Sequence, residues 1–100
     1  MVDTEILWQQ LKTVLDPDVH VNVVDLGLIY SILPSENCIK IVMTLTSPSC
    51  PMGDFLISEV KNKVESIYGN IFEINVELTW DPPWNENMIT EIGRMELGLL

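Results

Sequence analysis

Apolar positions recur at helical spacing at Leu7, Leu11, Val14 and Leu15, behind a capping residue Asp3 and an acidic first turn at Glu5, which predicts an amphipathic helix over Thr4 to Leu15. Asp16-Pro17 ends it. The polar stretch to Asn22 reads as a loop, and the β-branched run from Val23 to Leu33 reads as a strand with Gly27 inside it. Pro34-Ser35-Glu36-Asn37 is a turn signal. Beyond it Ile39, Ile41, Met43 and Leu45 alternate with Lys40, Val42 and Thr44, so Cys38 to Leu45 is the returning strand of a hairpin with one buried face. Leu56, Val60, Val64 and Ile67 form one stripe of a second helix over Pro51 to Tyr68, with Gly69 placed for a left-handed end. The cleanest alternation is Phe72, Ile74, Val76, Leu78 and Trp80 against Glu73, Asn75, Glu77 and Thr79, a strand from Ile71 to Trp80 with its first set facing the core. Asp81-Pro82-Pro83-Trp84 breaks the sheet, and Thr90 to Leu97 is a short last helix with Thr90 as N-cap and Gly98 past its end.

This order predicts an α+β two-layer sandwich: an α-β-β-α-β core with a short C-terminal helix, both long helices lying on one face of a small mixed sheet. The last strand returns through a helical crossover and must run parallel to the strand it joins, whose identity the pattern leaves open. The 100 residues are expected to form one domain around one core. No run of apolar residues is long enough to span a bilayer and no secretory leader is visible, so the chain reads as a soluble cytoplasmic protein.

Charge narrows the partners. Fifteen acidic against five basic residues give a formal charge of −10, which opposes the counterion release that drives nucleic-acid binding. Lys12, Lys40, Lys61, Lys63 and Arg94 form no basic cluster for an anionic membrane surface. Neither nucleic acid nor membrane is expected; other proteins are.

Chemistry concentrates at Thr46-Ser47-Pro48-Ser49-Cys50-Pro51, where a strand stops and a helix begins. With Pro51 as the first helical residue, Cys50 would sit at or beside the N-cap, facing unpaired backbone donors and the positive end of the dipole, a setting that favours thiolate. An inert buried thiol is the alternative at about even odds. A disulfide with Cys38 is not expected, since an extended strand separates the pair by more than the roughly 7 Å that a bridge tolerates. Strand direction should gather Asp16 and Asp18, the Cys50 loop and the Trp84 loop at one end of the sheet, with Asp25 approaching from the side. One candidate cysteine, Cys50, and one histidine are too few for a closed zinc site or a permanently held iron-sulfur cluster, so no resident cofactor is expected. Two copies presenting Cys50, or Cys50 with a client's thiols, could hold a cluster transiently. Nucleophilic catalysis by Cys50 would need His20 as its base, and nothing in the spacing brings them together. Trp84, stiffened by two prolines, is a partner-binding candidate, as are Met52 and Met88.

Asp16-Pro17-Asp18, Val24-Asp25-Leu26-Gly27-Leu28-Ile29, Thr46-Ser47-Pro48-Ser49-Cys50-Pro51, Asp81-Pro82-Pro83-Trp84 and the Thr90-to-Gly98 tail, in this order, resemble the small metal-sulfur cluster assembly family of SufT-like and PaaD-like proteins and the eukaryotic cytosolic iron-sulfur assembly factor. The resemblance covers nearly the whole chain. It implies an accessory, non-enzymatic role in maturing iron-sulfur proteins. Cys50 would be the functional thiol and transient ligand of iron or cluster, supported by Thr46 and Asp25. The partners would be assembly proteins and apo-protein clients; apart from the resemblance, the apolar Met52, Trp84 and Met88 lead one to expect self-association, as a homodimer, or a protein partner at the end of the sheet bearing Cys50 and Trp84. Asp18 stands where the family usually has Glu, and His20 where proline is common. A thiol-dependent enzyme using Cys50 as nucleophile is the alternative.

Overall fold

The computed structural model describes residues 2–47 and 52–98. In chain order the elements are α1 (Thr4–Leu11), β1 (Ile29–Pro34), β2 (Cys38–Met43), α2 (Gly53–Tyr68), β3 (Glu73–Leu78), a single 3-10 turn (Glu86–Met88) and α3 (Glu91–Leu97). β1 and β2 form the antiparallel hairpin, and β3 lies parallel to β2, pairing Cys38 with Glu73 through to Met43 with Leu78. The strand order β1-β2-β3 therefore supplies the neighbour that the hydrophobic pattern left open.

The inward face of the sheet, Ile32, Ile39, Ile41, Met43 and Ile74, forms one core with Leu7 and Leu11 of α1 and Leu56, Val60 and Val64 of α2. Both long helices thus cover one face. The other face is open to water and carries the exposed Lys40–Glu77 ion pair at 3.3 Å, a geometry that contributes little to stability.

Several boundaries differ from the expected ones: β2 ends at Met43 and β3 runs only from Glu73 to Leu78, and the larger differences have local reasons. α1 stops at Leu11 rather than Leu15 because the next residues enter a narrow antiparallel loop. In that loop the Val23 amide donates to the Val14 carbonyl, the Asp16 amide donates to the Val21 carbonyl, and Leu15 pairs with Asn22. Burying the β-branched Val14, Val21 and Val23 outweighs continuing the helix. The run from Val23 to Gly27 is a compact turn and the strand begins only at Ile29; Asn22 Oδ1 accepts the Asp25 amide, and Gly27 adopts φ +80°. α2 begins at Gly53 with Met52 as N-cap, not at Pro51. A side chain at Gly53 would come within 2.6 Å of Leu45 Cδ1, so the glycine lets the first helical turn close on the end of the β2 segment. At its far end Gly69 is right-handed (φ −62°), not left-handed.

The core face of β3 is also less complete than alternation suggests. Ile74 is buried and Val76 half-buried, whereas Leu78 and Trp80 are 37% and 42% exposed. β3 is an edge strand packed under α2, and cover fades toward its C-terminal end.

Candidate functional site

A cleft of about 260 Å³ opens beside Thr46, where the chain leaves β2, and three chain segments build it. The first is the turn after α1. Asp16 is buried, and its Oδ1 accepts the backbone amides of Asp18 at 2.7 Å and Val19 at 3.4 Å. His20 closes this turn in the left-handed region, φ 62°, donating its amide to the Asp16 carbonyl. The carboxylate of Asp16 is thereby committed to shaping the turn, and exposed Asp18 stands on the cleft wall. The second segment begins at Thr46, and the Leu45–Gly53 contact brings the two ends of the cysteine-bearing loop together at their base.

The third segment is the stretch from Pro82 to Leu97, strapped onto the turn between Asn22 and Leu28. The Trp84 indole N–H donates to the Leu26 carbonyl at 2.7 Å, and the Tyr30 hydroxyl donates to the Pro82 carbonyl at 2.7 Å. Asp25 is the central anchor: its Oδ2 accepts the Asn22 side-chain amide at 2.7 Å and its Oδ1 accepts the Thr90 hydroxyl at 2.9 Å. The Asp25 carbonyl also accepts the Thr90 amide. Thr90 then caps α3, its Oγ accepting the Gly93 amide at 3.1 Å. Two glycines permit this fit. A Cβ on Gly27 would lie 2.4 Å from the Met88 carbonyl oxygen, and one on Gly93 would lie 2.8 Å from that of Asp25.

The cleft so formed unites Asp16, Asp18, Thr46 and Trp84 with Glu86 and an apolar lining of Val19, Leu26, Ile89 and Leu97. Other expected site residues lie elsewhere. Asp25 is buried behind the wall with both carboxylate oxygens engaged. Met88 borders a separate groove with Gly27 and Tyr30, its sulfur 3.6 Å from the hydroxyl oxygen of Tyr30, whose proton goes to the Pro82 carbonyl. Met52 caps α2 and does not line the cleft. Cys50 lies outside the described residues, four positions beyond Thr46. Cys38 is a free thiol on the open sheet face, its Sγ accepting the Asn75 side-chain amide at 3.1 Å. The exposed His20 is not among the residues that line the cleft. Among the described residues no group of three or more His, Cys, Asp and Glu side chains could hold a metal ion.

Glu86, Ile89 and Leu97 had not been singled out. Ile89, Gly93 and Leu97 recur at helical spacing, a stripe that must face something; here Gly93 meets the Asp25 turn and Ile89 and Leu97 face the cleft.

Comparison with known proteins gives relatives of similar length and fold. The chain is 44% identical over 93 residues to the Fe-S protein maturation auxiliary factor of Porphyromonas gingivalis, covering 92% of this chain and 88% of that one. It is 36% identical over 87 residues to the Fe-S protein maturation auxiliary factor SufT of Staphylococcus aureus, covering 86% and 98%. Its fold matches the crystal structure of a domain of unknown function from Bacillus anthracis with a TM-score of 0.86 at 33% identity, over 96% of this chain and 92% of that one. Residues 5–78 match the iron-sulfur cluster assembly protein family, and the chain belongs to that family.

Proposed function

We propose that this protein is a non-enzymatic accessory factor in the maturation of iron-sulfur proteins, acting through Cys50 and binding iron or a cluster only in transit. The observation that carries the reading is the convergence of Asp16, Asp18, Thr46 and Trp84 on one cleft at the root of the cysteine-bearing loop. Family membership and the auxiliary-factor names of the relatives support it. In this reading the cargo is a substrate: Cys50 is its ligand from this chain, a client or assembly protein supplies the remaining thiolates, and exposed Asp18 and Glu86 give the cleft mouth the negative charge that favours cationic iron. Trp84 and the apolar lining offer a surface for the client.

The test pairs function with folding. In cells lacking the gene, the wild-type chain should restore the activity of an iron-sulfur enzyme and Cys50→Ser should not, while the purified variant keeps its melting temperature. Under anaerobic conditions iron and sulfide should bind in a Cys50-dependent way. Full rescue by Cys50→Ser, or Cys50-dependent turnover of a thioester without iron binding, would overturn the reading.

A further inference from the structure

The two edges of the sheet are unlike. β1 is blunted: its register shifts between Ile29 and Ser31, it ends in Pro34, and Tyr30 is tied to the Pro82 carbonyl. β3 has none of these protections. It pairs with β2 without a register shift, contains no proline, and is flanked by the exposed Leu78 and Trp80. The Glu73 amide donates to the Asn37 carbonyl and the Thr79 amide to the Met43 carbonyl, so odd-numbered residues of β3 bond toward β2. By alternation the N–H and C=O groups of Ile74, Val76 and Leu78 point away from the sheet, and no other described residue pairs with them.

We infer that this edge pairs with a second copy of the same chain, β3 against β3 in antiparallel register about a two-fold axis at Val76. The register follows from hydrogen bonding and charge together. Only outward-pointing residues can oppose one another as hydrogen-bonded pairs, which restricts the axis to positions related by two residues or to the gaps between them. An axis at Asn75 sets Glu73 opposite Glu77 of the partner on the open face, a like-charge opposition. An axis at Val76 removes it. Val76 then meets Val76, Ile74 meets Leu78, Asn75 meets Glu77 and Glu73 meets Thr79. Six interchain backbone hydrogen bonds form, and the exposed Leu78 on the helix side gains an aliphatic neighbour. An axis at Ile74 avoids the like charges too but leaves Leu78 beyond the paired segment. The formal charge of −10 on each copy repels at long range, so pairing must tighten as salt rises.

Asn75 reports both the pairing and its register, because it opposes Lys40 within the chain and Glu77 across the axis. Sedimentation equilibrium should show Asn75→Lys tightening and Asn75→Glu loosening the dimer, each by about tenfold. Intrachain stability should move the other way in the two variants. Backbone hydrogen exchange at Ile74, Val76 and Leu78 should slow as protein concentration rises. A chain that stays monomeric at millimolar concentration in high salt, variants that shift association in the same direction, or exchange at these amides independent of concentration would overturn the inference. So would association loosened by salt, which is the behaviour of an oppositely charged strand from another protein.

Discussion

Thr90 uses one hydroxyl in two senses, donating to Asp25 Oδ1 and accepting from the Gly93 amide. Removing it leaves a buried carboxylate oxygen short of a donor and a helix start without its cap. Thr90→Val, which keeps the shape, should cost about 1–3 kcal/mol in urea unfolding, whereas Thr90→Ser should stay close to wild type. The same bond explains why the role of Asp25 could not be read locally. The motif around it marks the residue as important, but its hydroxyl partner lies 65 positions away in the chain. In the structure Asp25 is a post on which the cleft wall is hung. The acidic pair after α1 was legible, yet only structure divides the labour, with Asp16 shaping its own loop while it lines the cleft and Asp18 standing exposed on the cleft wall.

At the scale of elements, β2 is central and β3 is an edge, so equal-looking strand positions carry unequal weight. Ile41 is fully buried, and Ile41→Ala should cost about 2–5 kcal/mol; half-buried Val76→Ala should cost about 1 kcal/mol, both measured by denaturant unfolding. Alternation in Phe72 to Trp80 correctly assigned which side chains share a face. It could not say how far α2 extends over them. Both helical stripes were readable, as were the hairpin and the Thr90 cap, because each is a local pattern. The misread segments, from Lys12 to Leu15 and from Val23 to Leu28, are those in which apolar residues bury through loop-like backbone held by pairing across the Asp16 turn. Hydrophobic periodicity carries no signal for such pairing.

For the whole molecule, a formal charge of −10 on 100 residues makes self-repulsion a standing cost of compactness. Raising sodium chloride from about 20 to 200 mM should therefore increase the melting temperature by about 5 °C, read by circular dichroism. No helix among the described residues is long and apolar enough to cross a membrane. Gathering the Asp16, Thr46 and Trp84 segments at one end was legible before any coordinates, since strands that run alike discharge their loops alike. That parallel pairing of β2 with β3 has a consequence for assembly. A two-fold axis across β3 turns the second copy end for end, so the dimer is bipolar, with one cleft at each tip of a six-stranded sheet. Strands of six residues, at about 3.3 Å per residue, hold those tips on the order of 20 Å apart. Under the proposed function, each cleft would be loaded and emptied on its own, and the dimer would work as a two-ended shuttle able to meet a donor at one tip and a client at the other.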